Sequence, residues 1–391
     1  MNRLYQNMAT TIFEEMSGQA RALGAINLGQ GFPDTIGPSE LLDAAARALL
    51  DGPNQYAPSQ GLPVLRDAVA AHYRRFQSLD LGANNVLITS GATEAIAAAL
   101  LAILSAGDEV IVFEPVYDAY RPLIERAGGR AVPITLTAPD WRLPIAAAAA
   151  AIGPHTRAIL LNNPNNPAAT VASRDELKAL AALCCKHDLI AICDEVWEHV
   201  VFDGSEHVTM IGLPGMADRT VKIGSAGKIF GVTGWKVGFV IAADRLLGPI
   251  ARAHQFLTFS TAPNLQTAVA FGLGFEQAFF DRGRTDLARS RDRLAGALAA
   301  AGFAVLPSRA TYFLTVDLPA SGIDGDHTDL ARRMLHEAGV ATIPLSAFYI
   351  GGTAPRGLVR FCFAKGDAVL DEAAARLARW RADQGAGGTT A

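Results

Sequence analysis

Short apolar segments alternate with amphipathic helical segments through the middle of the chain. Six of the apolar segments have the length and composition of buried strands: residues 85–89, 110–113, 158–161, 189–193, 221–223 and 237–241. A helical segment, Gly91–Leu104, follows the first strand, and Ser173 with Glu176 forms the capping-box pattern that begins another helix. This alternation is typical of a mostly parallel sheet with helices on both faces, so the predicted fold class is α/β.

The order of elements changes toward the C-terminus. A long helical segment at 289–301 is followed by apolar segments with strand character at 303–306, 312–317 and 358–363, with another helix at 330–338. This mixture predicts a smaller α+β domain, which the N-terminal segment joins. We therefore predict a large domain of residues 46–285 and a small domain made of residues 1–45 and 286–391.

Composition excludes several classes of partner. The 391 residues carry a net charge of −4, which gives no basic surface for a nucleic acid. The longest apolar run, Ala95–Leu104, is too short to span a membrane, and the first residues lack the apolar stretch of a signal peptide. The four cysteines form no C-x-x-C pair, and the eight histidines have no zinc-ligand spacing. These features predict a cytoplasmic protein without a metal site, a membrane contact or a nucleic-acid partner.

The positive charge of the chain comes almost entirely from arginine, with only six lysines. Three of them, Lys222, Lys228 and Lys236, lie in or beside a glycine-rich segment, GSAGKIFGVTGWKVGF. Burial in an apolar loop lowers the pKa of a lysine amine, which favours a Schiff base with an aldehyde. Ser225 and Lys236 flank Lys228 and could hold a phosphate. The alternative is an ordinary surface loop, and Lys222 is expected to face solvent.

Other segments could complete a cofactor site. Residues 90–93 form a helix N-terminus after a strand, which suits a phosphate. Asp194 ends a strand and could keep a pyridine nitrogen protonated, although Glu195 competes with it on sequence grounds. The asparagine-rich loop 162–167 could donate to a phenolate oxygen. Arg360 lies inside an apolar strand, where it either clamps a substrate carboxylate or forms a structural ion pair.

Together these segments resemble pyridoxal-phosphate enzymes of fold type I, specifically the class I/II aminotransferases and, within them, the methionine/kynurenine branch. The matching segments occur in family order over almost the whole chain, and they are NLGQGFPD (27–34), NQYAPSQGLPVLR (54–66), SGATEAI (90–96), NNPNNPAAT (162–170), CDEVWEH (193–199), GSAGKIFGVTGWKVG (224–238), HQFLTFS (254–260) and LVRFCFAK (358–365). The resemblance implies a large domain with a mostly parallel sheet and a smaller α+β domain.

The resemblance also implies the cofactor, pyridoxal 5′-phosphate, and the residues that act on it. Lys228 would form the Schiff base with the cofactor and then carry the proton. Asp194 would pair with the ring nitrogen. Asn166 would donate to the ring oxygen O3′ near the substrate carboxylate. Arg360, helped by the backbone of Gly31, would clamp that carboxylate.

Further residues are assigned by the same resemblance. The cofactor phosphate would be bound by Ala92, Thr93, Ser225 and Lys236. Tyr117 would stack on the cofactor ring, as a catalytic residue beside Lys228 and Asp194. Tyr56 would reach the phosphate from the partner subunit, which implies a homodimer with shared active sites. For Tyr56 and Tyr117 the alternative is core packing.

Two features bear on chemistry and substrate. Trp197 stands where the family usually has a tyrosine, so either its indole N–H replaces the phenol or Asn166 alone polarises O3′. Residues 255–261 contain no arginine of the kind that binds dicarboxylates, whereas Phe32 and Phe259 would add apolar walls. The expected reaction moves the amino group of an apolar or aromatic L-amino acid (methionine, phenylalanine, tyrosine, tryptophan or kynurenine) to a 2-oxo acid. The alternative is a β-lyase that acts on cysteine conjugates or cystathionine.

Overall fold

The computed structural model describes residues 1, 3–6, 8, 10–352 and 354–386. Its strands in chain order are β1 (Ile26–Asn27), β2 (Val86–Ser90), β3 (Glu109–Glu114), β4 (Arg130–Thr135), β5 (Thr156–Asn162), β6 (Ile190–Asp194), β7 (Thr220–Ser225), β8 (Val237–Ile241), β9 (Ala304–Val305), β10 (Phe313–Asp317), β11 (Val340–Ala341), β12 (Ile343–Pro344) and β13 (Leu358–Cys362). Its α-helices are α1 (Arg3–Gln6), α2 (Ile12–Leu23), α3 (Ser39–Asp51), α4 (Pro63–Gln77), α5 (Gly91–Ile103), α6 (Tyr120–Arg126), α7 (Ile145–Ala151), α8 (Arg174–Lys186), α9 (Ala226–Ile229), α10 (Asp244–Leu257), α11 (Pro263–Leu273), α12 (Gln277–Ala300), α13 (His327–Ala338) and α14 (Asp367–Ala386).

The largest sheet has seven strands in the order β2-β8-β7-β6-β5-β3-β4. Its pairs are parallel except at β8, which runs antiparallel to both β2 and β7. The predicted α/β fold with a mostly parallel sheet is confirmed. The edge strand β4 was not predicted, because its sequence, RAVPIT, contains a proline and its side chains are only partly buried.

The central strands β6, β7 and β8 are buried along their whole length, as expected for a sheet covered on both faces. Because β5, β6 and β7 are parallel neighbours, their carboxyl ends meet at one edge of the sheet. This edge brings together Asn162, Asp194 and Ser225. The capping box predicted at the start of α8 is present, with Ser173 and Glu176 bonding to each other's backbone.

A second sheet is antiparallel, with the strand order β12-β13-β10-β9. The short N-terminal strand β1 pairs in parallel with β11, so this part of the N-terminal segment packs with a C-terminal element. The domain limits themselves stay a prediction, and α12 runs through the predicted limit at residue 285 without a break. Among the described residues, none of the helices combines the length and apolar character that a bilayer crossing requires.

Candidate active site

A cavity of about 470 Å³ lies where the carboxyl ends of the central strands meet the N-terminus of α5 and the second sheet. This volume is in the usual range for small-molecule sites. Twelve of the fourteen site residues predicted from sequence line the cavity: Gly31, Phe32, Ala92, Thr93, Tyr117, Asn166, Asp194, Trp197, Ser225, Lys228, Lys236 and Arg360. The fold therefore gathers segments that are more than three hundred residues apart in the chain.

Lys228 lies in α9, one short helix turn after β7. Its Nζ is 3.2 Å from the hydroxyl of Tyr312 and 4.7 Å from the centroid of the Trp197 ring. Burial lowers the pKa of the Lys228 amine to about 8, against the opposing effect of Asp194. A substantial fraction of this amine is therefore neutral near physiological pH and able to act as a nucleophile or a base.

Asp194 ends β6 and faces the cavity, while its neighbour Glu195 turns away from it. The Asp194 carboxylate accepts a 2.5 Å hydrogen bond from the Tyr120 hydroxyl. Burial raises the pKa of Asp194 to about 6, so the group is ionised at neutral pH. Of the two candidates that the sequence offered, only Asp194 can meet a ring nitrogen in the cavity.

Arg360 is 3% exposed and has its guanidinium carbon 3.9 Å from the centroid of the Phe313 ring. Its Nη1 donates to Asn166 Oδ1 and its Nη2 to the Gly29 carbonyl, both at 2.8 Å. Among the described residues, its Nε has no hydrogen-bond partner and no carboxylate lies within ion-pair distance of the guanidinium. The structural ion pair considered from sequence is therefore absent among the described residues. Asp118 lines the same cavity and favours the charged guanidinium without forming an ion pair with it. A buried cation that has no direct carboxylate partner suits an anionic ligand.

The N-terminus of α5 and Lys236 form one corner of the cavity. Gly238 on β8 approaches so closely that an added Cβ would lie 2.5 Å from the Gly91 carbonyl carbon. A Cβ on Gly91 would lie 3.2 Å from Lys236 Nζ, which places this amine beside the first turn of the helix. Gly91 and Gly238 therefore allow the Lys236 amine to lie at the N-terminus of α5, which is the positive end of the helix dipole. Ser225 lines the same cavity. This arrangement suits a phosphate.

The expectation that Lys222 faces solvent is wrong. Lys222 lies on β7, is 0% exposed, and binds Glu195 at 2.5 Å and Glu198 at 2.6 Å. Glu198 also accepts hydrogen bonds from Tyr73 and Gln77. Because β7 is buried on both faces, a lysine within it has no route to water and must be paired internally.

Two predicted residues stand outside the cavity of this single chain. Tyr56 is 86% exposed and Phe259 is 40% exposed, and their rings contact each other edge to face at 5.4 Å. For Tyr56 this is the position expected of a residue that serves a partner subunit. The alternative of core packing does not hold for it.

Sequence reasoning missed several residues of the site. Tyr120, which bonds Asp194, follows Tyr117 by three residues and carried no separate motif. Asp118 lines the cavity directly after Tyr117 but belongs to no motif, and Phe13 and Phe348 line it from segments that are distant in sequence. Tyr312 contacts Lys228 from the turn before β10. These residues could be found only once the chain had been folded.

The donor set fits pyridoxal 5′-phosphate. In the cavity, Lys228 offers an amine for its aldehyde and Asp194 a carboxylate for its ring nitrogen. The N-terminus of α5 offers a site for its phosphate. Asn166 lines the same cavity and supplies a side-chain amide. Tyr117 and Trp197 add aromatic surface for the ring. Which group serves O3′, Asn166 or Trp197, stays a prediction.

The lowered pKa of Lys228 leads to a measurable pH dependence. In the cofactor-free protein, labelling of this amine by reductive methylation should rise with pH with a midpoint near 8, instead of the value of about 10.4 for a free lysine. Asp194→Asn should lower the midpoint further, because Asp194 favours the charged amine. Mass spectrometry of the labelled peptide would measure both, and a midpoint near that of free lysine would contradict the assigned environment.

Comparison with known proteins agrees with this geometry. Residues 24–377 match the family Aminotransferase class I and II. The chain is 38% identical over 371 residues to the methionine aminotransferase of Escherichia coli, covering 95% of this chain and 96% of that one. It is 33% identical over 394 residues to human kynurenine–oxoglutarate transaminase 1, covering 92% and 93%.

A solved structure, that of N-succinyldiaminopimelate aminotransferase from Mycobacterium tuberculosis, has the same fold. It superposes with a TM-score of 0.94 at 42% identity and covers 97% of this chain and 99% of its own. The match extends over nearly the whole of each chain. The chain belongs to the class I and II aminotransferases, which are pyridoxal-phosphate enzymes of fold type I.

Proposed function

We propose that this aminotransferase takes the amino group from an apolar or aromatic L-amino acid, such as methionine, phenylalanine, tyrosine, tryptophan or kynurenine, and passes it to a 2-oxo acid. The observation that carries the proposal is the surroundings of Arg360. Its guanidinium forms no ion pair among the described residues and lies beside the rings of Phe13, Phe313 and Phe348, whose centroids are 5.7, 3.9 and 4.7 Å from the guanidinium carbon. An α-carboxylate bound there would leave the substrate side chain among aromatic walls.

The charges around the cavity favour a side chain without a second carboxylate. Among the described residues, the basic side chains that line the cavity are Lys228, Lys236 and Arg360, and each has an assigned role. Asp118 also lines it, and burial raises the pKa of this group against the effect of Arg360. A distal carboxylate of a substrate would therefore meet an acidic group and no free cation.

Four polar residues of the cavity would have distinct tasks in this reaction. Bound pyridoxal phosphate supplies an aldehyde that reacts with amines and a ring that withdraws electrons from the substrate α-carbon. Asp194 would keep a proton on the ring nitrogen by its negative charge. Lys228 would take the α-proton on its Nζ and later return it, as a general base and then a general acid. Arg360 and Asn166 would orient the substrate by its carboxylate.

We further propose that the active enzyme is a homodimer with shared sites. Tyr56 contacts the exposed ring of Phe259. Phe256, three residues earlier in the chain, is 85% exposed. Large exposed apolar groups of this kind mark a surface that a protein partner covers. Tyr56 would then reach the phosphate corner of the neighbouring cavity.

A half-reaction screen tests the proposed substrate class. The purified holoenzyme is mixed with single L-amino acids, and conversion of the cofactor to its aminated form is followed by absorbance. Methionine, phenylalanine, tyrosine, tryptophan and kynurenine should react with rate constants within about 10–200-fold of one another, because apolar pocket walls separate similar side chains by only ~1–3 kcal/mol. Aspartate should be slower than all of them. Preference for aspartate, or for N-succinyl-L,L-diaminopimelate, would overturn the assignment.

The β-lyase alternative predicts different products from the same cavity. A cysteine conjugate would yield pyruvate, ammonia and a thiol without any 2-oxo acid acceptor. Aminotransfer instead requires the acceptor for each further turnover. Measuring pyruvate and ammonia with and without added 2-oxo acid separates the two activities.

A further inference from the structure

The amine of Lys228 is held by a residue that no sequence motif indicated. Tyr312 is 2% exposed and lies in the turn before β10, where Thr311 has a left-handed backbone with φ of 63°. This turn directs the Tyr312 hydroxyl to 3.2 Å from Lys228 Nζ. The ring of Trp197 contacts the Tyr312 ring edge to face at 4.3 Å and so limits its movement.

The direction of the hydrogen bonds follows from counting protons. The Tyr312 hydroxyl also lies 3.1 Å from the carbonyl oxygen of Gly31. A carbonyl can only accept, so the single hydroxyl proton of Tyr312 goes to Gly31. The lone pairs of the hydroxyl remain, and Lys228 must therefore donate to Tyr312.

This arrangement fixes the orientation of the amine. A neutral lysine amine has two N–H bonds and one lone pair. When one N–H points at Tyr312, rotation about the terminal C–N bond is restricted, and the lone pair is confined to directions away from Tyr312. We propose that Tyr312 is the positioning residue that orients Lys228 for proton transfer at the substrate α-carbon. The inference rests on the proposed role of Lys228 as the proton carrier.

The loop that contains Gly31 connects Tyr312 to Arg360, the residue assigned to bind the substrate carboxylate. A Cβ added to Gly31 would lie 2.6 Å from the Phe313 ring, so the loop packs directly on the strand that follows Tyr312. Two residues earlier in the loop, the carbonyl of Gly29 accepts from Arg360 at 2.8 Å. Arg360 and Tyr312 therefore both hydrogen-bond to backbone carbonyls of one segment, residues 29–31.

Tyr312→Phe tests the proposal, since it removes the hydroxyl and keeps the ring. The control is Tyr349→Phe, because the buried Tyr349 hydroxyl has no hydrogen-bond partner among the described residues and Tyr349 does not line the cavity. Thermal melting of both variants verifies that they fold. Steady-state kinetics with α-protonated and α-deuterated methionine then measures kcat, KM and the isotope effect.

We expect kcat of Tyr312→Phe to fall about 10–100-fold, the scale of a loss of orientation at a reacting group, with KM within about twofold because Arg360 is untouched. The isotope effect on kcat should rise, since proton transfer becomes slower than the other steps. A role in packing alone would leave the isotope effect unchanged.

A second readout needs no turnover. An acceptor oxygen stabilises an ammonium group more than a neutral amine, so removing it should move the labelling midpoint of Lys228 in the cofactor-free protein to lower pH. Tyr349→Phe should leave both readouts as in wild type. If Tyr312→Phe matches wild type in isotope effect and midpoint, the proposal is overturned and the proposed function stands. If wild type neither binds the cofactor at Lys228 nor transfers an amino group, both are overturned.

Discussion

Lys228→Ala should purify without the visible absorbance of lysine-bound cofactor and should lose turnover by at least about 10²–10⁴-fold, the contribution of a positioned proton-transfer group. Two functions disappear together in this variant: the covalent attachment and the amine that moves the α-proton. Of the lysines that line the cavity, only Lys228 also contacts Tyr312 and Trp197, so no described lysine can replace it. Absorbance spectra and a coupled assay with methionine and a 2-oxo acid measure the two losses.

The matched control is Lys236→Met, which removes a second lysine from the same cavity. Lys236 lies beside the N-terminus of α5 and does not contact Tyr312. This variant should bind the cofactor more weakly and still show the absorbance when the cofactor is in excess. Retained transamination by Lys228→Ala, or equal loss of absorbance in Lys236→Met at saturating cofactor, would contradict the assignment.

Lys222→Met should lower the free energy of unfolding of the cofactor-free protein by about 3–5 kcal/mol, because it leaves buried carboxylates without their cation. Glu195 and Glu198 both have Lys222 Nζ within 2.6 Å and are almost fully buried. Burial alone would raise the pKa of Glu195, but Lys222 and His207 bring it down to about 2. The midpoint of urea unfolding, compared with wild type, measures the loss.

The effect of Lys222→Met should depend on pH. Because the native pKa of Glu195 is below the value of about 4.3 for a free glutamate, this group stabilises the wild type above pH 4.3 and loses that effect as the pH falls toward 2. Lys222→Met lacks this stabilisation of ionised Glu195. The difference in free energy of unfolding between wild type and Lys222→Met should therefore be largest near neutral pH and shrink in acid. Lys178→Met, which removes an exposed pair with Asp175, should cost ~0–1 kcal/mol. If Lys222→Met and Lys178→Met lost the same free energy of unfolding, the stabilising role of Lys222 toward the buried Glu195 and Glu198 would be contradicted.

The strands that carry the site could be predicted from sequence because their signals are local. The apolar runs 189–193 and 221–223 predicted β6 and β7, which end at Asp194 and Ser225, and the parallel arrangement placed their ends at one edge. The strand β4 lacked such a signal, since its residues are only half-buried and include Pro133. Local pattern therefore predicted the centre of the sheet better than its edge.

Only those site residues that belong to a local sequence pattern could be predicted. Arg360 was found because a charge inside an apolar strand demands an explanation, and the structure shows the guanidinium without an ion pair among the described residues. Lys222 carried the same signal in the segment TVKIGS, yet its partners Glu195 and Glu198 follow a different strand. The contact of Tyr312 with Lys228 joins residues 84 positions apart and has no local pattern. Long-range partners of this kind become visible only after folding.

We expect the cofactor to attach to Lys228 in the cavity between the two sheets. Borohydride reduction of the holoenzyme fixes the linkage, and peptide mapping by mass spectrometry then identifies the modified lysine among the six in the chain. One residue per chain, Lys228, should be modified, with Lys222 and Lys236 unmodified. Attachment at any other lysine, or no attachment, would contradict this expectation.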